Sequence, residues 1–347
     1  MKWPKQLASV AGILLLITGS QCTGDGPALP PMEVGFYSWQ TVFQPQLKET
    51  ELLQALQARW LYVRYADIDL SPNGTPALKA PLKWGTLPPD PAQISLVPTV
   101  FIVNRVFERT PTGTLEALPD DITRFIRQNT PEGILIREIQ MDCDWNERTR
   151  DAYFHFLQQL KNLWPGVRVS ATIRLHQVKY QKKTGIPPVD RGALMLYNFD
   201  TPGFKTRNSI LDTDVAAQYL NEKSQYPLPL DIALPLFSWG VVLRDQKVIG
   251  FLKGWRAGNA QKADYLTRLE KNIYRVNKDT TAEGLYFRPG DRVHVEAPEM
   301  SDLQRVLHLA RPLIPASGAR LLFFDLHPNS SSAFTYADLL QLARPAH

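Results

Sequence analysis

The sequence predicts a single (β/α)8 barrel, and three observations predict it. From Glu33 onward, eight short apolar strands alternate with connections long enough for helices, the pattern of successive parallel βα units. On the fourth strand Ile139, Met141 and Cys143 alternate with Gln140, Asp142 and Asp144, so one face is apolar and the other carries two carboxylates. Two carboxylates on one strand face are costly in an ordinary core, but they suit strands whose C-terminal ends converge on a pocket.

The strands are expected at residues 34–39, 60–65, 94–103, 134–144, 168–176, 193–198, 231–237 and 320–325, all rich in apolar, β-branched and aromatic residues. After strand four, Tyr153, Phe156, Leu157, Leu160 and Leu163 follow the spacing of one apolar helix face. Residues 119–126 carry Asp120 and Asp121 in a first turn, where the helix dipole favours acids. The chain closes with a candidate capped helix over 332–343. Two connections exceed a plain helix. Residues 69–92, rich in proline and glycine, are expected to form an ordered loop over the top face. Residues 240 to about 300 form a long insertion between strands seven and eight, read as a hairpin at 241–250 and a helical piece at 265–274.

The barrel is expected to occupy residues 33–347, which leaves the N-terminus outside it. Lys2 and Lys5 precede an apolar run at 7–17 that is too short to span a bilayer, as in a secretory signal peptide over residues 1–21. Cys22 stands where a bacterial lipoprotein signal ends, and 22–32 reads as a tether. Gln21 departs from the small residue usual before such a cysteine, and a plain cleaved signal that leaves Cys22 as a thiol is the alternative. The expected address is the bacterial cell envelope, with membrane contact through the lipid anchor alone. Removing Lys2 and Lys5 from the 39 basic residues leaves 37 against 34 acidic, too mild an excess to argue for nucleic acid. With Cys22 acylated, Cys143 is read as a small core residue, and neither an intrachain disulfide nor a cysteine-based zinc site follows. A monomer is expected.

At the strand ends the candidate ligand-binding residues are Trp39, Arg64, Trp145, Arg174, His176, Tyr197, Asn198, Trp239 and His327. The candidate catalytic carboxylates are Asp142, Asp144, Glu147 and Asp325. Strand five repeats the pattern of strand four, with Ser170, Thr172, Arg174 and His176 on one face. Arg174 is expected to pair mainly with Asp142, leaving Asp144 to hold a proton as a general acid. The bland reading of that pair is an ion pair that only orients the scaffold. Trp39, Trp145 and Trp239 either stack on sugar rings or simply pack. His176 and His327 lack the spacing of a metal pair, so no metal is expected. A Gly-x-Ser-x-Gly elbow and a phosphate-cradling glycine loop are both missing, and no cofactor is expected.

The order of these strands resembles chitinase-like glycoside hydrolases, in which strand four carries Asp-x-x-Asp-x-Asp-x-Glu and strand six ends in Met-x-Tyr-Asp or Asn. Met195, Tyr197 and Asn198 match strand six, and Pro235 and Phe237 match a strand-seven pattern. On strand four, Asp142 and Asp144 match the two middle acids, while the first acid position falls on Ile139 and the glutamate position on Asn146. The resemblance implies substrate-assisted cleavage, with the glutamate protonating the leaving oxygen. Without it three routes remain: Glu147 swings in, Asp144 is the acid with Asp325 as base, or sugar is bound and not cut. The phrases at 173–178, 187–192 and 233–240 also resemble an uncharacterised bacterial TIM-barrel lipoprotein family, which implies no established activity. Together these readings predict an envelope-anchored barrel that takes a carbohydrate ligand.

Overall fold

The computed structural model describes residues 31–86, 93–203, 207–327 and 333–344. Its frame is a closed parallel barrel of β1 (Glu33–Ser38), β2 (Trp60–Leu70), β3 (Ser95–Ile102), β4 (Glu138–Asp142), β5 (Arg168–Arg174), β6 (Arg191–Met195), β7 (Leu230–Pro235) and β8 (Arg320–Phe324). Each strand pairs with the next, and β1 also pairs with β8, so the sheet has no free edge between them. Strands buried on both faces need apolar residues on both. Leu61, Val63 and Tyr65 of β2 pack in the layer beneath the helices, while Trp60 and Tyr62 fill the barrel. The crowding inside explains Gly35: a Cβ there would lie 2.7 Å from Leu322 Cδ2 and 2.8 Å from Trp60 Cβ.

The helix Arg150–Leu163 buries Tyr153, Phe156, Leu157 and Leu160, the face predicted from spacing. The closing helix is Tyr336–Ala343, capped by Thr335, whose hydroxyl donates to Asp338 at 2.6 Å and accepts from the Asp338 backbone N–H at 3.1 Å. The expected loop at 69–92 is partly strand. β2 runs on to Leu70 and pairs with Pro76–Lys79, and Lys83–Trp84 pairs with Val42–Phe43.

The insertion between β7 and β8 needs one correction. Its hairpin forms as expected, from Trp239–Arg244 and Lys247–Lys253. Residues 265–274 are not helical: Leu266–Glu270 and Ile273–Val276 are strands joined by a turn in which Asn272 takes φ 64°. They extend a five-stranded antiparallel sheet through Arg292–Glu296. The reason is tertiary. Tyr274 and Val276 help close a second core with Val242, Leu252, Trp255, Phe287 and Val293, and partners so distant in sequence leave no local signal. The expected signal, tether and Cys22 lie outside the described residues. Among the described residues, no helix is long and apolar enough to cross a membrane.

Candidate functional site

The barrel interior is built in layers, and the polar side chains of β4 and β5 climb through them together. Gln140 opposes Ser170 in the β4–β5 register, which sets Asp142 level with Thr172 and Asp144 level with Arg174. Tyr37 donates to Gln140 Oε1 at 2.8 Å, and one step higher Thr172 donates to Asp142 Oδ1 at 2.6 Å. Asp142 is only 4% exposed. Burial raises its carboxyl to a pKa of about 6, against the pull of Arg174, with Asp144 pushing the same way as burial.

Arg174 corrects an expectation. Its Nε donates to Asp144 Oδ1 at 2.5 Å and its Nη2 to Oδ2 at 3.3 Å, so it pairs with the outer carboxylate and not mainly with Asp142. The register is the cause, because the arginine stands opposite Asp144. The carboxyl positioned to hold a proton is therefore Asp142, and Asp144, its side chain 49% exposed, is the one held in an ion pair.

Beyond Asp144 the chain turns away from the barrel axis. Trp145 is fully buried, donates from Nε1 to the Thr184 carbonyl at 2.9 Å and packs on Tyr153 and Phe154. Of the two alternatives for this tryptophan, sugar stacking and packing, its burial fits packing, and it is a core residue rather than a ligand-binding one. Asn146, at the glutamate position of the resembled pattern, accepts through Oδ1 from the backbone N–H groups of Arg148 and Thr149 at 2.9 and 3.3 Å. Its amide serves as a loop cap. Glu147 is exposed in the following turn, where its charge acts on Arg150.

The rim of the site is aromatic. Tyr197 is buried and among the described residues its hydroxyl has no hydrogen-bond partner. Its ring stacks on Phe324 at 5.0 Å and meets Phe237 edge-on at 6.1 Å. Trp39 lies half-buried against Tyr37 and Phe324, and Trp239 against Phe237 with Nε1 donating to Glu296 at 2.8 Å. His176 and Asn198 are exposed beside Arg174 and Tyr197 around a small recess of about 80 Å³. Asp325 is half-buried after a cis Phe324–Asp325 peptide and acts electrostatically on Tyr197, and His327 is exposed two residues on. Arg64 is buried and occupied by Asp67 at 2.6 Å and the Ala80 carbonyl at 3.0 Å, which makes it a scaffold residue.

Sequence reasoning missed four contributors. Thr172 was on the noted face of strand five, and pairing that strand in register with strand four would have found it. Phe237 was matched to a strand-seven pattern without being read as part of the site, and Phe324 stood in a predicted strand but looked like ordinary core. Glu296, buried and bonded to Trp239 and Ser209, comes from the insertion and had no signal. Among the described residues, no group of three His, Cys, Asp or Glu could hold a metal ion.

No protein-family model and no curated protein sequence matches the chain. Solved structures do. The spore cortex-lytic enzyme SleL of Bacillus cereus aligns with a TM-score of 0.50 at 14% identity, covering 92% of this chain and 75% of that one. A chitinase from Bacteroides thetaiotaomicron gives 0.52 at 9% identity, covering 92% of this chain and 99% of its own. At such identities the likeness is one of fold: this chain shares a (β/α)8 barrel with these two enzymes.

Proposed function

We propose that the chain is an envelope-anchored, glycoside-hydrolase-like barrel that takes a poly- or oligosaccharide at its strand C-terminal ends. One observation carries the reading. A buried carboxyl that holds a proton near pH 6, Asp142, sits beneath the Asp144–Arg174 pair and close to the partnerless Tyr197 hydroxyl, within a wall of Trp39, Phe237 and Phe324. Hydrogen-bonding groups beside aromatic faces suit a sugar, whose hydroxyls need partners and whose ring presents apolar C–H groups. Two carboxyls in contrasting environments suit a division of roles: Asp142 holds the proton and Asp144 presents charge to the ligand. The shared fold with a cortex-lytic enzyme and a chitinase supports the same class of ligand.

The second reading, binding without cleavage, is favoured by Asn146, whose amide replaces the family's acid and is committed to its own loop. A panel of bacterial and plant polysaccharides separates the two, with reducing-end release and binding measured on each. Turnover that Asp142→Asn abolishes while binding persists supports the enzyme. Binding with no turnover in the wild type supports the second reading, and neither binding nor turnover overturns both. The anchor is tested separately by fatty-acid analogue labelling, expected in the wild type and lost in Cys22→Ala. Label that survives the substitution removes Cys22 as the anchor.

A further inference from the structure

At the opposite end of the barrel, we propose a binding site for phosphate-bearing anions, built by Arg59, Arg137 and Arg168 around Trp60. These residues line a cleft of about 690 Å³ at the N-terminal ends of β1 to β5. That face of such a barrel ordinarily serves stability, and here the buried part does. Glu138 is held by Arg320 at 2.7 Å, and Asp231 by Arg191 at 2.5 Å, so the interior charges compensate one another. The cleft charges do not. Arg59 and Arg137 are exposed, and among the described residues neither has a carboxylate within ion-pair distance. Arg168 lies 3.7 Å from Glu138, a carboxylate that Arg320 already holds more closely. Among the described residues lining the cleft the one acid, Glu33, is engaged as acceptor for Trp60 Nε1 at 2.7 Å.

The floor is also fixed in place. Arg320 stacks 3.3 Å from the centre of the Trp60 ring, and Arg168 approaches the same ring at 5.6 Å. Three guanidinium groups around a rigid floor match the geometry of phosphate oxygens, which a planar fork binds through paired hydrogen bonds. Leu135, 69% exposed on the lip, adds an apolar contact beside the charges. Two sources share this chemistry: the headgroups of an anionic bilayer, and a soluble phosphate or phosphate-bearing polymer. The first is within reach because β1, where the N-terminal segment enters the barrel, opens at Glu33 on this same cleft.

The test uses full-length mature protein carrying Cys22→Ala, so that an acyl chain contributes nothing and the outcome is independent of the anchor. Co-sedimentation is measured with phosphatidylglycerol vesicles and phosphatidylcholine vesicles at low salt, and titration with pyrophosphate is run in parallel. Binding to either phosphate probe, weakened roughly 30-fold in the Arg59→Ala/Arg137→Ala double variant with Tm unchanged, supports the site. Vesicle binding that pyrophosphate does not displace assigns it to lipid, and pyrophosphate binding alone assigns it to a soluble anion. No binding to either probe, or binding that the double variant retains, overturns it. Neither variant touches the strand C-terminal site, so saccharide binding there fails or survives on its own.

Discussion

The two ends of the barrel carry similar residues and use them differently. Below, Glu138, Asp231, Arg320 and Tyr62 interlock: Arg320 Nη1 reaches Tyr62 at 2.5 Å and Glu138 at 2.7 Å, and its backbone N–H donates to Asp231 at 2.7 Å. Above, Asp142 has one short hydrogen bond from Thr172, Asp144 is half in solvent, and Tyr197 has a buried hydroxyl with no partner. A satisfied buried network holds a scaffold together. A partly satisfied one at the strand C-terminal ends costs stability and leaves groups available to a ligand.

The largest effect should come from breaking the lower network. Arg320→Met leaves Glu138 and Asp231 buried with one cation removed, and is expected to destabilise the fold by about 3–5 kcal/mol in chemical denaturation. A loss below 1 kcal/mol would mean the lower end is no better satisfied than the upper.

The next effect is a pH dependence. Asp142 has a folded-state pKa of about 6, raised from 3.8, so the folded state binds its proton more tightly than the unfolded chain does. Its contribution is therefore fully present below about pH 4 and is lost as pH rises through about 6, a change of about 3 kcal/mol. Asp142→Asn should flatten that part of the stability–pH curve. A wild-type curve that rises from pH 4 to 7, with no component removed by the substitution, would refute the assignment.

Tyr197→Phe should separate stability from binding. Deleting a buried hydroxyl that has no partner is expected to leave stability unchanged or raise it by up to about 1 kcal/mol, while saccharide affinity falls about tenfold. A clear loss of stability would show that the hydroxyl is satisfied within the fold. The smallest effect belongs to Arg174→Met. Its partner Asp144 is half-exposed and well hydrated, so unfolding should report a loss of under about 1 kcal/mol. A loss of several kcal/mol would place the pair with the buried ones below.

Much of this was legible in the chain. The eight strands fell where alternation and apolar runs predicted, because strands sealed beneath helices must be apolar on both faces, and a gap in that pattern is visible. The helix face of Tyr153, Phe156, Leu157 and Leu160 was legible for a similar reason, since its period follows from its own backbone. The partner of Arg174 was not legible, because it depends on the stagger between β4 and β5. Nor was the fate of Trp145, which turns on the direction the chain takes after Asp144.

The sequence by itself determined that β4 would carry Asp142 and Asp144 on one face at the strand C-terminal end, because side-chain alternation is a local property of a strand. Only the tertiary structure decided which carboxyl is buried with Thr172 and which is paired with Arg174. It alone also decided that residues 265–274 form strands. Register, desolvation and sheet pairing are relations between segments far apart in the chain, and they exist only once the barrel has closed.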